Sequence, residues 1–311
     1  MGSRMKTLAL ILCGGAMLHA TTFYVTVAGL GGEPEYEQRF SGWAKDVDKL
    51  LKSAGPDAKA QTLFGVDATR AKVESVLGEI AHQAQPGDAL VVMLIGHGTF
   101  DGIDYKFNLP GPDLSAVELA TLLDKIPAQR QLVVNMTSAS GASRAVLERP
   151  TRAVITATKT GTEKNATIFA RYWVEALRDS SADTDKNGVI SALEAFRYAE
   201  AKTANFYETQ KRLSTEHAML EDTGKGDGVK NPGPENGEGL LASRIPVLRI
   251  GSSQEIANTP EKQKLLAHKE DLEQQIDALK YQKAAMPVDQ YKKQLGALLL
   301  DLSKTQAELD K

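Results

Sequence analysis

An α/β fold with a mostly parallel central sheet is the architecture this sequence predicts, and three observations predict it. Ala89-Leu90-Val91-Val92-Met93-Leu94-Ile95 is an unbroken apolar run. Such continuity suits a parallel strand covered on both faces. Leu132-Val133-Val134-Asn135 and Val154-Ile155-Thr156-Ala157-Thr158 repeat the pattern, and segments with apolar residues at helical spacing lie between the runs. Strands alternating with helices give helices packed on the faces of one sheet. The composition agrees: 311 residues, 42% hydrophobic and 25% charged, are enough for one large domain plus an appendage.

The net charge is −3, and no basic cluster is dense enough for nucleic acid. Residues 1–20 have the pattern of an export signal. Arg4 and Lys6 precede the apolar stretch Leu8 to Leu18, and Leu18-His19-Ala20 offers a small residue before a cut near Thr21. The stretch is too short to remain as a membrane anchor. The alternative is a buried first strand that starts early. Export places the protein in a periplasmic or extracellular space. Cleavage removes Arg4 and Lys6, taking the charge from −3 to −5, and removes Cys13, the only cysteine. The mature chain then has no thiol and no disulfide.

The elements follow in order. Phe23 to Gly29 is a strand. The turn Gly29-Leu30-Gly31-Gly32 lacks both the GxGxxG spacing and the P-loop Lys-Ser/Thr, so it does not mark a nucleotide site. Phe40 to Leu51 is a helix through Trp43, Val47, Leu50 and Leu51. Ala60 to Gly65 is the second strand, and Asp67 or Thr69 caps the helix carrying Val73, Val76, Leu77 and Ile80. Residues 101–113 form a small hairpin and a Pro/Gly turn, after which Ser115 caps a helix through Leu119, Leu122 and Leu123. Residues 222–243, rich in Gly, Pro and Asn, are expected as a long surface loop. Ile245 to Ile250 is expected as a final edge strand, because Pro246 is tolerated mainly at edges. The domain accordingly spans 21–251.

Residues 260–311 change character. Leu265, Leu272, Ile276 and Leu279 follow heptad spacing, and Val288, Tyr291, Leu295, Leu298, Leu302, Thr305 and Leu309 continue it beyond Pro287. Pro287 cannot sit inside a straight helix, so the segment is two helices folded as a hairpin. Its apolar stripe serves self-packing or oligomerisation, with docking to a protein partner as the alternative.

Two strand ends carry candidate chemistry. The first apolar run ends in Gly96-His97-Gly98, and the second in Met136-Thr137-Ser138-Ala139-Ser140-Gly141. Side chains at such ends face the crevice where open α/β sheets bind ligands. A His at one end and a nucleophile at its neighbour is an acyl-transfer arrangement. Over roughly residues 22 to 205, the chain resembles the caspase-like proteases, most of all their legumain-like branch, which carry His-Gly after one strand and Cys-x-Ser-Gly after the next. Ser138 stands where the catalytic Cys belongs. Val154 to Thr158, with Glu163 beyond, resembles the next strand and its substrate-side loop.

The resemblance implies a three-layer sandwich, His97 as base, the Gly98 amide as oxyanion donor and Ser138 as the nucleophile position. It also implies substrate contacts from Met136, Ser140 and Thr158. Two departures accompany it. A hydroxyl needs a directly bonded base that a third group orients, and the sequence assigns no third group. Legumain-like and metacaspase relatives place an acidic residue where this chain has Met136. Three functions follow: a degenerate peptidase homologue that binds a peptide or protein, a hydrolase using Ser138 with His97, or a structural envelope protein that assembles through its hairpin.

Asp183-Thr184-Asp185-Lys186-Asn187-Gly188-Val189-Ile190-Ser191-Ala192-Leu193-Glu194 matches the EF-hand calcium loop at every key position. Asp183, Asp185, Asn187, the Val189 carbonyl and a bidentate Glu194 would surround Ca2+. A lone loop of this kind holds structure more than it senses calcium. A polar turn between helices is the alternative. His217, beside Glu216, is expected as a surface helix residue and not as a metal ligand.

Overall fold

The computed structural model describes residues 20–54, 57–226, 228–250 and 259–310. Residues 1–19 of the expected export signal lie outside that set. The chain runs through β1 (Thr22–Ala28), α1 (Pro34–Lys52), β2 (Ala58–Leu63), α2 (Arg70–Gln83), β3 (Ala89–Ile95), β4 (Gly98–Phe100), β5 (Tyr105–Phe107), β6 (Leu114–Ser115), α3 (Ala116–Leu123) and β7 (Arg130–Asn135). It continues through α4 (Arg144–Leu147), β8 (Arg152–Thr156), α5 (Phe169–Ala176), β9 (Val189–Ser191), α6 (Ala192–Thr209), β10 (Met219–Glu221), α7 (Leu240–Ser243) and β11 (Pro246–Arg249). Two long helices close it, α8 (Pro260–Gln282) and α9 (Val288–Leu309).

Six strands form the central sheet in the order β10-β8-β7-β3-β1-β2. All neighbours are parallel except β10, which runs antiparallel to β8. All seven residues of β3 are buried. Their alternation feeds two cores. Val91, Met93 and Ile95 pack with Phe40 and Val47 of α1, Trp173 of α5 and Phe196 of α6. Leu90, Val92 and Leu94 pack with Val73 and Leu77 of α2 and Leu119 and Leu123 of α3. The result is three layers, with the sheet between two sets of helices. Each fully buried large apolar side chain in β3 contributes on the order of 1.5–3 kcal/mol.

Local signals set several boundaries. Thr69, not Asp67, caps α2 by accepting from the Lys72 amide at 3.3 Å. Ser115 and Glu118 form a reciprocal capping box at the start of α3. The segment expected as a hairpin at 101–113 supplies only β5, the middle strand of a three-stranded sheet whose outer strands, Gly98–Phe100 and Leu114–Ser115, lie on either side of it.

Three expectations are corrected. Residues 222–243 are not one surface loop: Asp222 and Glu238 are each 5% exposed, and residues 240–243 are α7. Asp222 accepts from the Gly239 and Ala242 amides at 2.7 and 2.8 Å, so a buried carboxylate holds the start of α7. The segment Pro246–Arg249 is a strand but does not edge the central sheet; it pairs with β9 in a separate two-stranded sheet. The edges are β2 and β10, and the three residues of β10 are too short for a periodicity argument. In the hairpin, Leu272, Ile276, Leu279, Thr305 and Leu309 are buried, but Val288 is 66% exposed. Val288 opens α9 directly after Pro287, before the helix reaches its seam. Among the described residues, no helix is long and apolar enough to cross a membrane.

Candidate functional site

The parallel pairing of β3 with β7 sets Leu94 beside Asn135, so Gly96-His97-Gly98 and Met136-Thr137-Ser138 leave adjacent strands at the same end of the sheet. Their backbones touch. A Cβ on Gly98 would lie 2.5 Å from the Ser138 carbonyl oxygen and 2.7 Å from Thr137 Oγ1, so this close approach requires glycine.

Ser138 is 2% exposed. Its Oγ donates to the Gly98 carbonyl and accepts from the Gly98 amide, both at 3.1 Å. A hydroxyl has one proton to donate, and here it goes to a backbone oxygen. Next along the chain, Ala139 is fully buried with φ of 55°, a left-handed conformation that costs a non-glycine residue about 1–2 kcal/mol. Its amide is anchored by the Glu163 carbonyl at 2.8 Å.

His97 faces elsewhere. Its ring meets Tyr36 and Phe40 of α1 edge-on, with centroids at 4.8 and 5.0 Å. Burial holds the imidazole below its ordinary pKa, opposed by a hydrogen bond to the Gly31 backbone and by the charge of Glu33. No hydrogen bond joins His97 to Ser138 in this arrangement.

The remaining strand-end residues are likewise engaged. Met136 is 1% exposed and part of the α1/α5 core. Ser140 and Thr158 are buried and face each other, Oγ to Oγ1, at 3.1 Å; the Thr158 amide donates to Ser140 Oγ at 3.1 Å. Tyr105 brings the β4–β5 hairpin over the site. Its hydroxyl lies 2.6 Å from Thr137 Oγ1 and donates to Asn135 Oδ1 at 3.1 Å. Burial raises the Tyr105 phenol well above its ordinary value, so it stays neutral. Leu30, 44% exposed, follows the end of β1, and Ile103, 87% exposed, lies in the turn between β4 and β5.

The 183–194 segment has a different electrostatic character. Oxygens of Asp183, Asp185 and Glu194 lie within 4.8 Å of one another. A hard cation bonds oxygens at about 2.3–2.6 Å, so a single ion can reach all three. Asp183 accepts from the Asn187 and Gly188 amides at 3.1 and 3.0 Å, and Lys186 and Gly188 take positive φ to bring the chain around. Glu194 caps α6 through Ser191 and also accepts from the Thr184 amide at 2.8 Å. The Asp185 carboxyl is pushed up to about 6 by desolvation, then by the charges of Glu194 and Asp183. The loop leads into β9, where Val189 pairs with Arg249 of β11.

Sequence reasoning passed over several residues. Glu273 of α8 accepts from Asn187 Nδ2 at 3.4 Å, a contact between residues 86 positions apart with no local signal. Glu216, 3% exposed, accepts from the Ile168 and Phe169 amides at 2.8 and 3.1 Å and so holds the start of α5. His217 is not on a helix. It sits in the extended segment before β10, with Nδ1 2.8 Å from Glu163 Oε1.

No family model matches the chain, and no curated protein matches it. Among solved structures, it is similar to the Geobacter sulfurreducens protein GSU0716, with a TM-score of 0.45 and 15% identity; the match covers 75% of this chain and 99% of that one. It is also similar to the Drosophila initiator caspase Dronc, with a TM-score of 0.44 and 11% identity, covering 66% of this chain and 80% of that one.

Proposed function

We propose that the chain is a caspase-like domain of legumain type that no longer hydrolyses peptides. It acts instead as an exported peptide- or protein-binding module stabilised by calcium. The observation that carries the proposal is the hydrogen bonding of Ser138, whose Oγ is tied in both directions to the Gly98 backbone. Hydrolysis would need that proton on a base within hydrogen-bond reach, and the Gly98 amide aimed at a developing oxyanion. The His97 ring packs on Tyr36 and Phe40, and the Gly98 amide already binds Ser138. Both hydrogen bonds would have to break before catalysis could begin. Leu30, exposed just beyond the end of β1, supports contact with a partner.

For calcium, the donor set fits. Asp183, Asp185, Asn187 and Glu194 supply side-chain oxygens, and the Val189 carbonyl completes the set. The ion would neutralise three converging carboxylates and tie β9 to the start of α6.

The test is turnover of a mixed peptide library by the native protein, Ser138→Cys and Ser138→Ala, with calcium present. No turnover by the native protein and no legumain-like cleavage by Ser138→Cys is expected, since Met136 stands in the apolar core where the relatives that the sequence resembles place an acidic residue. Robust native turnover that disappears in Ser138→Ala would make the protein a serine hydrolase.

A further inference from the structure

The contact between the C-terminal hairpin and the domain includes charged and polar pairs. Leu272, Ile276 and Leu279 of α8 are buried. Glu270, Glu273 and Asp277, spaced by three and four residues, lie along one side of the same helix. Glu270 pairs with Arg249 of β11, the strand that pairs with β9 of the acidic loop. One turn further, Glu273 reaches the loop itself and accepts from Asn187 Nδ2 at 3.4 Å. Arg244 Nη2 donates to the Gln274 carbonyl at 3.4 Å, and the Tyr281 hydroxyl donates to the Glu238 carbonyl at 2.7 Å. A cavity of about 320 Å3 lies between hairpin and domain, lined by Asp185, Asn187, Glu194, Glu270 and Glu273 among others.

This docking carries an electrostatic conflict. Glu273 brings a further carboxylate up to the loop through Asn187, whose Nδ2 also donates to Asp185 Oδ2 at 3.2 Å, and its side chain is only 22% exposed. The cation paired with it, Lys269, is one turn away on its own helix, with Nζ at 3.8 Å. Lys269 therefore moves with the hairpin and does not tie it to the loop. Like charges brought together repel, and a divalent ion among them reverses the sign of the interaction.

We propose that Glu273 couples calcium in the loop to docking of the α8–α9 hairpin, so that the ion fastens the hairpin to the domain and its removal loosens it. This rests on the calcium reading given above. By linkage, docking must tighten calcium binding by the same factor by which calcium tightens docking. Arg249 supplies the calcium-independent part of the anchor, through Glu270.

The experiment uses the full chain with Cys13→Ser and two exposed sites replaced by cysteine, Val66→Cys on the domain and Leu299→Cys on α9. A donor–acceptor dye pair reports the distance between them, and calorimetry reports calcium binding in the same samples. Energy transfer should change on chelation and return with calcium. Glu273→Gln should keep the calcium-loaded transfer value even in chelator, because the repulsion is gone. It should also weaken the calcium Kd by about 5- to 100-fold. Glu194→Gln should bind no calcium and hold the chelator value throughout. If calcium binds the native protein and transfer does not change, the coupling is wrong and the calcium loop stands. If Glu273→Gln leaves the calcium Kd unchanged, the coupling is equally refuted. If calorimetry detects no calcium binding, both readings fall.

Discussion

The strand ends and the 183–194 loop both carry recognisable motifs, yet one gathers neutral hydroxyls and the other gathers like charges. At the strand ends, Ser138 is bonded to Gly98, Ser140 to Thr158, and Tyr105 to Asn135 and Thr137. The reactive groups are already satisfied by neighbours. At the loop, Asp183, Asp185 and Glu194 also accept hydrogen bonds, from the Asn187, Gly188, Thr184 and Ser191 amides, but their three carboxylates converge on one another. A motif states which atoms are present. The hydrogen bonds around them decide which are free to act on a ligand. By that criterion, the strand ends hold no base bonded to the Ser138 hydroxyl, and the loop holds converging carboxylates whose charge a cation would neutralise.

The largest expected effect lies at the loop. A ligand that binds only the folded chain, at a hundred times its Kd, adds about 2.7 kcal/mol. For a domain of this size, that corresponds to a rise in melting temperature of about 5–10 °C. Calorimetric scans in calcium and in chelator should differ by that much, and Glu194→Gln should remove the difference. Equal melting temperatures in the native protein would erase the contrast between the two regions.

Next is the stability of Ser138→Ala. Removing a catalytic residue is commonly neutral or stabilising, because active sites hold strain. Here the hydroxyl satisfies a buried backbone amide and carbonyl, and leaving such groups without partners costs about 1–3 kcal/mol. Urea denaturation should show Ser138→Ala less stable than the native protein by that amount. Equal or greater stability would mean that Ser138 is held for chemistry and not for structure.

The smallest effect separates the regions by pH, in chelator. Asp185 and Glu273 have raised values, about 6 and about 7, for which desolvation is the first cause. The folded chain therefore holds more protons than the unfolded one from the ordinary carboxylate range up to about 7, and their contribution to stability falls as pH rises through that window. His97 acts oppositely. Its lowered value means that the unfolded chain holds the extra proton just below 6.5, so its contribution rises with pH up to that point. Asp185→Asn should reduce the first slope, leaving the part that Glu273 contributes, and His97→Gln should remove the second. Saturating calcium should flatten the first alone, since the bound ion requires the carboxylates ionised. A native slope that neither variant changes would refute both assignments.

Much of the fold was legible because it is written in local patterns. The apolar run of β3 announces burial on both faces, and Ser115 with Glu118 announces the start of α3. The segments that were misread depend on long-range partners. Asp222 is a loop residue by composition, but its carboxylate is buried by amides 17 and 20 positions away. Pro246–Arg249 has strand character, yet its partner is β9 and not the central sheet. His97 and Ser138 were placed by pattern on neighbouring strand ends, and β3 and β7 are indeed paired. Nothing in the pattern could say that Tyr36 and Phe40 of α1 would take the imidazole face, or that Gly98 would take both hydrogen bonds of the hydroxyl.

The most direct measurement is covalent labelling at Ser138. The calcium-loaded native protein is incubated with a fluorophosphonate and, separately, with a peptide aldehyde, and intact mass is read with Ser138→Ala as reference. The hydrogen bonding of Ser138 predicts no adduct at that residue from the fluorophosphonate and no stabilised hemiacetal from the aldehyde. Stoichiometric modification of Ser138, absent in Ser138→Ala, would show a nucleophile activated by a base, and would contradict the account.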